Sequence, residues 1–441
     1  MRPDKHKRWR HIRILRLDGE PLSPHIAEAF ARVIPRASQL EHLEFEHAET
    51  TLRTHPDLPL AFAALRTVKH IVIYYGSQYT CRMLEAMHWP LESAELNHTD
   101  DDQDWQDPDT LDRMHPAVLL KNSRTTLKTL ECKYWTKFNY LLDTYPVYPQ
   151  LESLRVEGAW CPRTAQWTVS YPSLKRLSVE TIDAARYSAN IDEDHFARHA
   201  ANRSFNLEEH MVQEQQWSEL EQFIGHNALD LYLLGFTCRI RDIVFSLSPE
   251  SLPFFAPVME RARPTRLGLS ITSSLFSQPV PTYLEDPGLT DIKSLELHVK
   301  ILVTNMHGDT GDIDVDRFLG YVRGTLQRAS AREFALFLEV DNITWLANLR
   351  DSLPGIVSFR ELEQTERALR SSPTVPLSRV ETWVDNADLD ALARGFLDEV
   401  PSLEWVKLSI QPSASSEWKS AQSSRGRGAD GQLKNAPPLA A

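Results

Sequence analysis

Cysteine is scarce in this chain. Four stand alone, at Cys81, Cys132, Cys161 and Cys238, and none forms a C-x-x-C pair, so no redox motif and no zinc knuckle is visible. That usage points to a reducing compartment, cytoplasm or nucleus. No apolar run approaches membrane-spanning length. The stretch from Met1 to Arg13 is basic and lacks the apolar segment of a secretory leader. The sequons at Asn97, Asn202 and Asn342 are therefore read as chance matches. Basic residues are also in short supply, 48 Lys and Arg against 61 Asp and Glu for a net charge of −13. A domain-wide surface able to neutralise phosphates is excluded on that count, and with it a general nucleic-acid partner. There is no P-loop, no dinucleotide fingerprint and no G-x-S-x-G elbow. No cofactor and no membrane partner are expected.

What the chain does have is a phrase that keeps returning, L-x-x-L-x-L with other apolar residues allowed. It stands at Ile12-Leu15-Leu17, Leu40-Leu43-Phe45, Val68-Ile71-Ile73, Leu91-Ala94-Leu96, Leu127-Leu130-Cys132, Leu151-Leu154-Val156 and Leu174-Leu177-Val179. Later copies are read at Leu229-Tyr232-Leu234, Ile292-Leu295-Leu297, Ala331-Phe334-Leu336 and Leu403-Val406-Leu408. Clear copies lie about 23–28 residues apart, the period of a leucine-rich repeat. Segments between them carry helical stripes, such as Val315, Phe318, Leu319, Val322 and Leu326, and Leu389, Leu392, Phe396, Leu397 and Val400. Prolines introduce several strands, as at Tyr148-Pro149, Tyr171-Pro172 and Val400-Pro401. The fold expected is α/β, an irregular leucine-rich-repeat solenoid with a parallel inner sheet and outer helices. Its expected organisation is a basic end at 1–10, the solenoid at 11–410 with a helical insertion near 184–227, and a disordered tail at 411–441 rich in Ser, Ala, Gly and Pro.

Such arrays work by offering a surface, so the chain is expected not to be an enzyme. Fragments of catalytic motifs are present and fail on inspection. His195 and His199 are four apart, but no glutamate follows His195, and a solvated helix face explains them better. Asp309-Thr310-Gly311 is a single aspartic-protease triplet where the chemistry needs two. Asp312, Asp314 and Asp316 open like a calcium loop, yet Arg317 and Arg323 occupy the positions that need Gly and Glu, so helix N-capping is the better use. A cryptic hydrolase built on these two regions is the remote alternative, and no metal site is expected. Six aspartates between Asp100 and Asp109 surround Trp105 and are read mainly as a solvated loop.

Strand side chains alternate, so the residue between two buried leucines faces the open, concave side. This register exposes Arg16 and Asp18, Glu44 and Glu46, Val72 and Tyr74, Glu95 and Asn97, Glu131 and Lys133, Arg155 and Glu157, Ser178 and Glu180, and Glu296 and His298. Acidic residues dominate, and their fields should sum toward a basic or mixed-charge protein target on that face. Just beyond the strands stand Tyr74 and Tyr75, Tyr134 and Trp135, and Trp160. They form either an aromatic strip along one rim or a ladder packed inside the turns. The expected binding residues are Arg16, Glu44, Glu46, Tyr74, Glu95, Glu131, Lys133, Trp135, Arg155, Glu157, Trp160 and Glu180.

The phrases Tyr148-Pro149-Gln150-Leu151-Glu152-Ser153-Leu154-Arg155-Val156-Glu157-Gly158 and Pro172-Ser173-Leu174-Lys175-Arg176-Leu177 resemble fungal F-box proteins with degenerate leucine-rich repeats, of the kind found in mushroom-forming fungi. Thr67 to Gly76 and Gly158 to Pro162 are similar to the same group. The resemblance spans about the first 410 residues. It implies the substrate-receptor region of a cullin-type ubiquitin ligase, with a target held by the repeats. No Leu-Pro-x-Glu opening precedes the first repeat, so contact with the ligase adaptor is expected only if an F-box lies upstream. A free-standing scaffold without ligase contact is the alternative.

Overall fold

A computed structural model describes residues 8–18, 22–98, 115–133, 146–159, 164–181, 193–213, 216–272, 283, 287–303, 313–329, 331–342, 379–411 and 418–425. The fold is α/β. The chain divides into two compact units, Met1–Ile240 and Arg241–Ala441. The division cuts the single array expected over 11–410. Each repeat packs only on its neighbours, so an array of this kind has no long-range core to prevent it.

Among the described residues of the first unit eight strands lie side by side in chain order, and the registered pairs are all parallel: β1 (Ile14–Leu17), β2 (His42–Phe45), β3 (His70–Gly76), β4 (Ser93–His98), β5 (Thr129–Lys133), β6 (Ser153–Ala159), β7 (Arg176–Thr181) and β8 (Glu219–Asn227). The recurring phrase is the reason. Its second and third apolar positions are the inward residues of each strand, so Leu43, Ile71, Leu130, Leu154 and Leu177 are all at most 3% exposed. Registered side by side, these residues form a continuous apolar layer. One hydrogen-bond device repeats at every step. Two successive amides at each strand entrance donate to one carbonyl of the preceding repeat: Lys69 and His70 to Glu41, Lys128 and Thr129 to Glu92, Lys175 and Arg176 to Glu152.

The same device identifies a strand that the phrase misplaces. Glu221 and Gln222 donate to Lys175, so the eighth copy is Leu220-Phe223-Gly225. Gly225 conceals it. The Phe223 ring fills the space, and a Cβ at 225 would lie 2.8 Å from it. Leu229-Tyr232-Leu234 lies instead on a helix, Ala228–Leu234, opened by a reciprocal Asn227/Asp230 capping box and closed by Gly235 at φ 63°. The insertion near 184–227 therefore ends earlier than expected. Its described helix, Glu193–Val212, buries Asn206 and His210 against neighbouring helices. His199 is buried on this helix, not solvated as expected.

Among the described residues the helices of the first unit are α1 (Pro24–Val33), α2 (Ala48–Arg53), α3 (Leu58–Ala63), α4 (Gln78–Ala86), α5 (Pro116–Leu119), α6 (Thr164–Ser170), α7 (Glu193–Val212) and α8 (Ala228–Leu234). Two carboxylates, one half-buried and one fully buried, stitch neighbouring repeats together. Glu49 on α2 accepts from the amides of Ser77 (3.0 Å), Tyr79 (2.9 Å) and Thr80 (3.2 Å) at the start of α4. Asp230 on α8 is fully buried. It accepts from the Thr181 amide and hydroxyl (2.8 and 2.7 Å) and from the His226 and Asn227 amides (2.7 and 3.0 Å). Burial pushes its carboxyl up to about 6 against the pull of those donors.

The second unit continues the scheme with β9 (Arg239–Leu247), β10 (Arg266–Thr272), β11 (Ser294–Val303), β12 (Glu333–Asn342) and β13 (Trp405–Gln411) in parallel. Its helices among the described residues are α9 (Leu252–Ala262), α10 (Val315–Ala329), α11 (Arg379–Asn386) and α12 (Leu389–Glu399). The α10 stripe is buried as its spacing predicts, and Asp314 caps the helix by accepting from the Arg317 amide at 2.9 Å. Two copies of the phrase were not anticipated, Ile240-Ile243-Phe245 in β9 and Pro264-Leu267-Leu269 ahead of and within β10. The tail expected to be disordered over 411–441 contributes β14 (Lys419–Ser424), antiparallel to β13. Backbone pairing with an existing edge and burial of Ala421 order a segment whose composition offers little else.

Candidate interaction face

The outward side chains of the first unit fall into registered rows. One row runs Arg16, Glu44, Val72, Glu95, Glu131, Arg155, Ser178 and Ile224 across β1 to β8. Two residues further along each strand stand Tyr74, Asn97, Lys133, Glu157 and Glu180. Glu46 follows the end of β2 and is exposed. The expected binding residues Arg16, Glu44, Tyr74, Glu95, Glu131, Lys133, Arg155, Glu157 and Glu180 thus share one face. Trp135, Trp160 and Tyr134 lie outside the described residues, as do the Asp100–Asp109 run and Asp309–Asp312.

The carboxylates do not sum into an open acidic field, because strand neighbours pair them. Arg16 Nε lies 2.8 Å from Glu44, and His42 approaches the same carboxylate at 3.7 Å. Lys133 Nζ bridges Glu131 (3.2 Å) and Glu157 (3.4 Å), and Arg155 contacts both of them as well. This four-residue lattice spans β5 and β6. The side chains of Glu131 and Glu157 are only 22% and 19% exposed, so water screens these pairs less than it would on an open surface. Burial works against the Lys133 charge, but hydrogen bonds and attraction from the two glutamates raise its ammonium above the ordinary lysine range.

Glu95 has a different environment. Burial and the nearby Glu131 charge raise its carboxyl above the usual range, offset in part by Lys133. The Tyr74 hydroxyl is hydrogen-bonded to it, and burial with the Glu95 charge raises the phenol in turn. Tyr74 is half-buried, whereas Tyr75, which the expected set omits, is 51% exposed. Its ring stacks on His47, with centroids 5.2 Å apart and planes 14° from parallel. The signal for Tyr75 was in the alignment of repeats. Tyr74-Tyr75-Gly76 in β3 occupies the place of Glu157-Gly158-Ala159 in β6, and both strands slip register there.

The equivalent face of the second unit is built differently. Across β9 to β13 one row reads Val244, Gly268, Glu296, Ala335 and Lys407, the next Ser246, Ser270, His298, Phe337 and Ser409. His298 stacks on Phe337 at 4.4 Å and 10°, Lys407 Nζ lies 5.0 Å from that ring centroid, and Trp418 meets it edge-on at 6.2 Å. His298 Nε2 is 2.7 Å from Glu296. This bond holds the Glu296 carboxyl below the usual range despite burial.

Among the described residues no group of three His, Cys, Asp or Glu side chains is placed to hold a metal ion. No helix among them is long and apolar enough to cross a membrane. Cys81, Cys132 and Cys238 are buried, and desolvation pushes their thiols up, away from the nucleophilic thiolate. No protein-family model matches the chain, and a search of curated proteins finds no significant match.

Proposed function

We propose that the strand face of the first unit holds a protein ligand, and that the chain is a non-catalytic recognition module. The observation that carries this reading is the registered lattice of Glu131, Lys133, Arg155 and Glu157, half-buried and cross-linked over two strands. A solvated strand face needs no such order. A preorganised one presents charges at set spacings and loses little entropy when a partner docks. The fungal resemblance extends the reading to the substrate-receptor region of an F-box type ubiquitin ligase, working in the cytoplasm or nucleus. The free-standing scaffold uses the same face without the ligase. A pull-down of the purified 441-residue chain with the ligase adaptor separates the two. No one-to-one complex is expected, because the chain shows no Leu-Pro-x-Glu opening ahead of its first repeat. A stoichiometric complex would place an adaptor-docking surface within these residues.

A further inference from the structure

The chemistry of the partner can be narrowed from the bulge in β3. In β6 the residue at the register slip is Gly158, at φ 74°, where glycine carries no steric penalty. In β3 the same place is taken by Tyr75 at φ 54°, a conformation that a side chain makes costly. The residues that follow are closely packed. A Cβ at Gly76 would meet Ile73 at 3.0 Å and Thr80 at 3.1 Å, so the chain is tight immediately after the tyrosine. The amides of Ser77, Tyr79 and Thr80 are then tied to Glu49.

The result is a large aromatic ring held out in solvent by a rigid turn, with His47 stacked against it. Two carboxylates belong to residues next to this pair in chain or register. Glu46 precedes His47 and is exposed, and Glu95 is bonded to the adjacent Tyr74. Lys133, whose charge acts on Tyr74, is already engaged by Glu131 and Glu157. A flat cation that stacks on a ring while donating to carboxylates at its edge is a guanidinium; an ammonium does only the second well.

We propose that Tyr75, backed by His47, anchors an arginine side chain of the protein partner, with Glu46 and Glu95 as the carboxylates at its rim. This rests on the strand face being a recognition surface. Burial and Glu131 disfavour the Glu95 charge, and an arriving guanidinium relieves that penalty.

The test uses fluorescently labelled hexa-arginine and hexa-lysine amides, titrated by anisotropy against the full chain at physiological salt. Hexa-arginine should bind about tenfold tighter than hexa-lysine. Tyr75→Gly should erase that preference without lowering the melting temperature, because glycine accepts the backbone at this position. Tyr75→Phe should keep the preference. Equal binding of the two peptides, or an arginine preference that survives Tyr75→Gly, overturns the anchor. If such Tyr75-independent binding is lost in Glu46→Gln with Glu95→Gln, the face still recognises charge and only the arginine anchor fails. Absence of hexa-arginine binding to the wild-type chain also overturns the anchor. The recognition face is then judged separately, by photo-crosslinking from its strands.

Discussion

The polar faces of the two units share a backbone plan and differ in what stands between their leucines. In the first unit the outward rows carry charges that pair across strands, Arg16 with Glu44 and the β5–β6 lattice. In the second the rows mix small residues with Glu296, Lys407 and an aromatic cluster of His298, Phe337 and Trp418, and charged pairs cross strands beside them, Arg266 with Asp242 and Lys300 with Glu339. The fold therefore resides in the inward positions, which are apolar throughout, and the outward positions are free to specialise. Glu95 and Glu296 make the contrast in a single residue type. Both stand between two inward positions of their strands, yet burial and a like charge raise one carboxyl, while a histidine hydrogen bond lowers the other.

If the inward and buried positions carry the fold, breaking them should have the largest effect. Asp230→Ala would leave four donors around a fully buried site without their acceptor, at a cost of more than about 3 kcal/mol. Asp230→Asn should be little better, since its amide would face two donating backbone groups. Leu154→Ala leaves a cavity in the apolar layer and should cost about 2–5 kcal/mol. Ser178→Ala, on the outward face next to Leu177, should change stability by less than about 0.5 kcal/mol. Urea unfolding of the four variants reads all of this. A Leu154→Ala variant as stable as the parent would refute the inward assignment.

An intermediate effect separates the two faces. Glu131→Lys with Glu157→Lys would set four cations in contact on half-buried ground, and should lower stability by on the order of 1–2 kcal/mol, less at high salt. In the second unit Phe337→Ala should cost about 1 kcal/mol from the lost ring pairs and show little salt dependence. If the Lys double variant melts like the parent at all salt concentrations, the lattice is not held as its distances imply.

The smallest effect is the most diagnostic in sign. Glu95 is raised in the folded chain, so its contribution is present at acid pH and lost as pH rises through and above the usual carboxylate range. Glu296 is lowered, so its contribution is present above that range and lost as pH falls through its folded value. Glu95→Gln should therefore raise the melting temperature slightly at pH 7, and Glu296→Gln should lower it. Carboxyl carbon-13 titrations should find Glu95 above and Glu296 below an ordinary glutamate. The same direction for both would remove the contrast.

Much of this was legible in the sequence; Ile240-Ile243-Phe245 in β9 fits the phrase and was overlooked, and the other exceptions have identifiable causes. The phrase located β1 to β7 and β11 to β13 because burial demands apolar residues at those spacings. It passed over β8 because Phe223 supplies the volume that Gly225 lacks, and β10 because Pro264 replaces the first apolar residue. It then settled on Leu229-Tyr232-Leu234, where Asn227, Asp230 and Gly235 carried clear helix-capping signals. The strand at Lys419–Ser424 has no apolar pattern of its own and depends on pairing with β13. On the interaction face the alternation correctly named the outward residues. It could not show that Lys133 reaches Glu157 or that Arg16 reaches Glu44, because those contacts join residues more than twenty apart and depend on strand register. Tyr75 was read as one member of an aromatic strip or ladder and left out of the binding set, because its outward placement follows from a positive φ, which no side-chain periodicity reports.

The central claim is that the partner is held by the outward strand face of the first unit. It is tested most directly by placing a photo-crosslinking amino acid at Val72, in the middle of that face, and separately at Glu85, exposed on α4. Irradiation of each full-length variant in a lysate of the source cells should give a discrete protein adduct from position 72, diminished by rising salt, and none of that size from position 85. Adducts from position 85 alone, or equally from both, would contradict recognition by the strand face.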